Sequence, residues 1–305
     1  MTQFIATFDE LTGFKQMLRD MPRPRRLYHY TDAAGMLGIS NSKTLWAGRG
    51  FDMNDSEEQK YFYSFLDEEI ERMYWGDIDP RKAKGARAEL AALKELSERL
   101  KSDPELSPTI YTVSLTADPD DLGQWRGYCP RSGGVSLGFK SADLDALCEE
   151  QGFVLAKVSY GDYQDAKNLI HSTLLHCSKK IYGAVSGDEL SSKDFEEHAE
   201  EFATEAFRYL PLLAPILKHP SFRWEDEWRL ISGPADSADL IARPTSTGLK
   251  LYLPFQLQTE SVRVESIDCV IGPNVDPIAM KSATTEVLRR HFPDVEVSRT
   301  ESPYR

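Results

Sequence analysis

The sequence predicts an α+β fold: a mixed or antiparallel β-sheet core carrying long helical insertions. Three observations predict it. Short stretches of alternating, β-branched and aromatic residues gather in the middle and the last third of the chain. Long segments of helical periodicity interrupt them. The two kinds of element do not alternate in the regular order that a parallel α/β sheet requires. With 305 residues, 41% of them apolar, the chain can build a core without disulfide or metal staples. One domain spanning 1–305 is expected, with a helical extension over 1–26 and helical insertions at about 56–101 and 162–218.

Residues 8–20 read as a short amphipathic helix stopped at Met21-Pro22. Leu27-Tyr28-His29-Tyr30 is an aromatic strand. Thr31 or Asp32 caps the next helix, which offers Met36 and Leu37 to a core. Thr44-Leu45-Trp46-Ala47 is a second strand. Asn54-Asp55-Ser56 caps a helix reaching about Trp75, and Asp79-Pro80 opens another over about 81–101. Strands follow at Thr109–Leu115 and Gly134–Phe139, with Asp121–Tyr128 between them as a turn or helix start. A helix at about 142–150 precedes a strand at Val154–Tyr160. Two long helices occupy about 162–184 and 191–217; the second begins Ser191-x-x-Asp194, a capping signature, and repeats Phe195, Ala199, Phe202 and Ala206 on one face. The remaining strands are Phe222–Ser232, Ala238–Arg243, Leu249–Pro254, Ile267–Ile271 and Val295–Ser298, with a helix at about 276–290. Trp46, Trp228 and Leu230 are expected in the core.

Composition excludes several classes. No apolar run is long enough to span a membrane, and the acidic opening MTQFIATFDE lacks the basic and apolar regions of a secretory signal. Four cysteines without a C-x-x-C pair suit reduced thiols and a cytoplasmic location. The net charge of −13 disfavours non-specific nucleic-acid binding, since phosphates would meet a repulsive field.

Few motifs point to chemistry. Gly134-Val135-Ser136-Leu137-Gly138 fits G-x-S-x-G, but alternation runs straight through Ser136 and the next helix starts several residues later, so a strand is expected rather than the nucleophile elbow of a serine hydrolase. His171 and His176 are five residues apart, off the i, i+4 spacing of a helical metal pair, and no metal is expected. Asp118-Pro119-Asp120-Asp121 is explained by turn capping as readily as by calcium. No dinucleotide fingerprint or P-loop is present. Two features stand apart. His29 lies between two tyrosines at a strand end. In Arg223–Leu230, read as a strand, Glu225, Glu227 and Arg229 share one face and Trp224, Asp226, Trp228 and Leu230 the other; two carboxylates with an arginine next in line are more than a solvated edge needs, a surface ion-pair ladder being the plain alternative.

Leu27–Thr31, Thr44–Ala47, Asn54–Glu57, Gln124–Tyr128, Gly134–Phe139, Glu225–Leu230 and Ser302–Arg305, in this order, resemble domain-of-unknown-function family 2971, a mostly bacterial family. More distantly, a strand ending in His-x-Thr, a short helix, a second strand and a late strand with Glu-x-Glu resemble the ADP-ribosyltransferase fold. The resemblance implies an enzyme that transfers ADP-ribose from NAD to an acceptor that the sequence does not identify. It implies that His29 holds the adenosine-side ribose, that Tyr30 or Tyr128 stacks the nicotinamide, and that Glu227 holds the 2′-hydroxyl of the nicotinamide ribose, with Glu225 as the activating residue of an Arg-directed or general-base variant that takes a proton from the acceptor. Thr31, Gln124, Trp125 and Arg126 complete the expected cofactor-binding set, with the Arg23–Arg26 run as a further source of pyrophosphate contacts. The chain departs from the fold's pattern in having Ser114-Leu115-Thr116 where a Ser-Thr-Ser strand belongs. A non-catalytic nucleotide-binding or regulatory module on the same scaffold is the alternative, and a serine hydrolase at Ser136 ranks third.

Overall fold

The computed structural model describes residues 18, 21–49, 56–76, 83–103, 109–129, 133–160, 164–183, 191–245, 248–273 and 276–302. The expected helix over 8–20, apart from Leu18, the caps at Asn54-Asp55 and Asp79-Pro80, and the end of the terminal motif, Pro303–Arg305, lie outside the described residues. The chain groups into two compact units, one of 1–19, 50–110 and 159–220, the other of 20–49, 111–158 and 221–305. The first therefore gathers the two segments read as helical insertions.

In the described part of that unit, the helices are α2 (Ser56–Gly76), α3 (Ala83–Ser102), α6 (Gln164–Tyr182) and α7 (Ser192–Tyr209). Helix α7 starts at the expected capping box, in which Ser191 and Asp194 satisfy each other's backbone N–H groups. Its Ala199, Phe202, Ala203 and Ala206 are buried, as is Glu205, which pairs with Arg208, whereas Lys193, Glu197, Glu200 and Glu201 are exposed. The helix stops at Tyr209 rather than near 217. Pro211 and Pro215 deny it backbone donors, and Leu210–Ile216 tightens into a 3₁₀ turn.

The second unit holds the sheet. Its strands are β1 (Arg26–Thr31), β2 (Thr44–Arg49), β3 (Tyr111–Thr116), β4 (Val135–Lys140), β5 (Phe153–Lys157), β6 (Glu227–Ser232), β7 (Ile241–Thr245), β8 (Gly248–Gln256), β9 (Ser266–Ile271) and β10 (Asp294–Arg299). Its helices are α1 (Ala33–Ser42), α4 (Leu122–Tyr128), α5 (Ser141–Gln151) and α8 (Pro277–Arg289). The path β10-β9-β4-β1-β3-β2-β8-β7 is joined by β6, which pairs with β3 and β5. All of these pairs are antiparallel except β9–β10, which is parallel, so the sheet is mixed, as expected.

Among the described residues, strand β3 has three neighbours. Thr112 and Thr116 each pair with β6 on one edge, at Ile231 and Glu227. On the other edge Thr112 pairs with Gly48 of β2 and Thr116 with Tyr28 of β1. That edge is therefore shared, and the sheet splits between β1 and β2 at the level of Ser114.

One face of the sheet is apolar. Leu27, Val113, Leu115, Leu137, Phe139, Trp228 and Leu230 lie in its core with Met36, Ile39, Leu144 and Leu147 from α1 and α5. Trp228 and Leu230 are buried as expected, but Trp46 is not. The pleat gives Leu45 and Ala47 to the core and leaves Trp46 partly exposed, its ring against Tyr252 and beneath the Arg243 guanidinium.

The late Glu-rich strand is shorter than its pattern suggests. Pro220–Glu225 forms a 3₁₀ turn and Asp226 takes a left-handed backbone, φ 39°, its carboxylate paired with Lys157 at 2.9 Å. Asp tolerates this region better than most residues. The kink breaks the period-two relation, so Glu225 and Trp224 lie outside the strand, which begins at Glu227.

Candidate functional site

His29 is placed by the split in the sheet. Ser114 has no ladder partner on the shared edge, and its carbonyl lies 3.1 Å from His29 Nδ1. A carbonyl oxygen only accepts, so Nδ1 carries the proton and Nε2 of the neutral ring is an acceptor. Burial lowers the pKa of His29 below its ordinary value of 6.5, against the opposing effect of the Ser114 hydrogen bond.

Glu227 opens β6 and is buried with Arg229. Arg229 Nε donates to Glu227 Oε1 at 2.8 Å and Nη2 to Oε2 at 2.9 Å, with side-chain exposures of 7% and 4%. Two parallel charge-assisted hydrogen bonds fix both planes. Gln124, from α4, donates through Nε2 to the carbonyl of Glu225 at 3.5 Å. Gln124 and Glu225 are thus brought together at the entrance to β6, both buried.

The register shows how these groups relate. Glu227, Thr116, Tyr28, Gly138, Asp268 and Glu296 form one row across six strands. The pleat turns Tyr28 and Glu227 to the same face, whereas His29 leaves β1 on the side of Leu27. Two strand spacings, roughly 10 Å, separate the backbones of Tyr28 and Glu227.

Helix α4 covers the far end of this polar face. Asp121 caps it through Gln124 N–H at 2.7 Å. Trp125 is buried, edge-on to Tyr30 at 4.5 Å between centroids, and lies flat against the backbone of Gly272, where a Cβ would meet the indole. Tyr30 donates to the Asp118 carbonyl at 2.9 Å and accepts from Asp121 N–H at 2.8 Å. Trp125 and Tyr30 are therefore built into the core of this end, while Arg126 and Tyr128 are exposed on α4. Thr31 packs its hydroxyl against Gly35 at the start of α1, and its carbonyl accepts from the Cys129 thiol at 3.6 Å.

The acidic run is structural. Asp120 Oδ1 accepts from Trp125 Nε1 at 2.7 Å and Thr300 Oγ1 at 2.5 Å, and Oδ2 accepts from Glu301 N–H at 2.8 Å. It ties α4 to the segment after β10. Among the described residues, no group of three or more His, Cys, Asp or Glu is placed to hold a metal. Nor is any helix long and apolar enough to cross a membrane.

Ser136 lies within an unbroken ladder, opposite Tyr30 and Val270. It is fully buried, and its hydroxyl has no partner among the described residues. Helix α5 begins only at Ser141, so the strand–turn–helix geometry of a nucleophile elbow is absent there.

A cleft that the motifs did not indicate opens on the same face at the start of β1. It measures about 410 Å³ and is lined by Pro24, Arg25, Arg26, Tyr28, Ala117, Pro119, Asp268 and Glu296. Gly138 makes room for the Tyr28 ring to lie across β4, with its hydroxyl 3.5 Å from Asp268 Oδ2. The available signal was pairing register: no local motif joins residues 28, 138, 268 and 296.

Compared with known proteins, residues 124–230 match the model of a family described as a protein of unknown function, DUF2971. The matched stretch begins at Gln124 and ends at Leu230, so it contains both α4 and the Glu225–Arg229 segment. No curated protein and no solved structure matches the chain.

Proposed function

We propose that the sheet unit is an ADP-ribosyltransferase-like catalytic module that cleaves NAD and transfers ADP-ribose, acting in a bacterial cytoplasm with the acceptor still to be identified. The observation that carries this reading is the split edge of β3, with the neutral His29 at Ser114 and Glu227 in the adjacent strand on the other side. Breaking the nicotinamide–ribose bond develops positive charge on the ribose. Glu227, held by Arg229, offers a preorganised carboxylate for that charge. His29 Nε2 offers an acceptor to a ribose hydroxyl. Gln124 and Arg126 on α4 supply donors for the amide and pyrophosphate groups, and the exposed Tyr128 a ring face. Four free thiols fit a reducing compartment.

A second reading is favoured by two specific observations. Both oxygens of Glu227 accept from Arg229, and the pleat sends His29 and Glu227 to opposite faces. Those features suit a nucleotide-binding module without turnover. Incubation of the purified chain with NAD separates the two readings. Continuous release of nicotinamide, lost on His29→Ala, supports cleavage of NAD, with the ADP-ribose passing to water where no acceptor is supplied. Saturable NAD binding without nicotinamide release supports the binding module.

A further inference from the structure

The cleft at the start of β1 has a chemistry of its own. Its floor is the Tyr28 ring, and Pro24, Ala117 and Pro119 add apolar wall. Arg26 belongs to the structure of that wall, because four of its five N–H groups are engaged: Nε by Asp268 at 2.9 Å, Nη1 by the carbonyls of Gly138 and Ser266, and Nη2 by Ser266 Oγ at 2.7 Å. Arg25 is exposed at the rim. Glu296, also exposed, stands beside Asp268 on the neighbouring strand. Burial raises the pKa of Asp268, and the Glu296 charge adds to this against Arg26. The same two carboxylates add to the effect of burial in raising that of Tyr28. With two arginines and two carboxylates the lining carries no net charge, which disfavours a simple cation.

An aromatic floor selects a flat ring. Carboxylates only accept hydrogen bonds, so the ring must present donors on one edge. Guanine offers two parallel donors there, N1–H and the amino group. Adenine turns the N1 lone pair to the same edge and would meet repulsion; uracil flanks its one N–H with two carbonyls. We infer that this cleft binds a guanine mononucleotide, the base on Tyr28, its N–H edge on Glu296 and Asp268, and its phosphate at Arg25. The cleft takes Arg25 and Arg26 from the run that the resemblance offers to a pyrophosphate, but it contains none of His29, Gln124, Arg126, Tyr128, Glu227 and Arg229, and GMP binding is read without NAD turnover.

Calorimetric titration of the full chain with GMP and AMP tests the inference, without reference to NAD turnover. Saturable GMP binding is expected, with AMP weaker by about ten-fold or more, because a hydrogen-bonding site rejects a ligand that leaves its polar groups unpaired. Glu296→Gln, on an exposed edge strand, should weaken GMP by about ten-fold or more, the usual worth of a charged hydrogen bond, and leave the melting temperature unchanged. Tyr28→Leu should also weaken it. Absence of GMP binding up to millimolar concentration would overturn the inference. So would equal affinity for AMP, or undiminished GMP binding by the folded Glu296→Gln protein.

Discussion

His29 couples the sheet's topology to pH. The split between β1 and β2 leaves the Ser114 carbonyl without a ladder partner, and the imidazole supplies the missing donor. Its folded pKa is lowered from 6.5 by burial. The unfolded chain therefore binds the proton first as pH falls. Stability associated with His29 is complete above pH 6.5 and is lost as pH falls from there through the lowered folded value. His29→Gln should accordingly show a flatter dependence of unfolding free energy on pH between neutrality and about pH 5 than the wild type. Urea titrations at several pH values check this; parallel pH profiles would contradict it. Asp120 is a second residue whose carboxylate serves several partners at once, the Trp125 indole, the Thr300 hydroxyl and the Glu301 amide. Asp120→Ala leaves those donors unpaired and should cost about 1–3 kcal/mol in denaturant unfolding.

At the scale of elements, α4 makes a paired prediction. Trp125 is pressed against Gly272, whereas a Cβ at Gly127 would meet nothing within 4 Å. Gly272→Ala therefore overpacks a buried indole and should destabilise by about 1–3 kcal/mol. Gly127→Ala, on the same helix as Trp125, should be neutral or stabilising by up to about 1 kcal/mol, the difference in helix propensity. Thermal melting of the two variants checks the contrast, and equal losses would refute the placement of Trp125. Elements with strong local signals were readable from the chain: Ser191 and Asp194 cap α7, Asp32 caps α1, and alternation marks β4 through Ser136. The strand expected over Phe222–Ser232 starts only at Glu227, because what sets its start is not hydrophobic pattern. A left-handed Asp226 held by Lys157 depends on a residue some seventy positions away, and no window around Glu225 contains it. The Tyr28 cleft was hidden for the same reason, since it is made by cross-strand register.

Over the whole molecule, the net charge of −13 makes acidic groups ordinary, so a functional carboxylate must be known by its setting. Glu227 is distinguished by near-complete burial against Arg229. That setting also complicates its removal: taking the Glu227 charge away from the buried Arg229 can cost about 3–5 kcal/mol, whereas removing both charges together is often tolerated. The direct test is nicotinamide release from NAD by the wild type, Glu227→Gln, and Glu227→Gln/Arg229→Met, with melting temperatures recorded on the same preparations. Turnover by the wild type is expected, with a loss of about 10²–10³ in rate for the folded double variant, the usual effect of removing one transition-state electrostatic contact. No nicotinamide release by the wild type, or undiminished release by the folded double variant, would contradict the transferase reading.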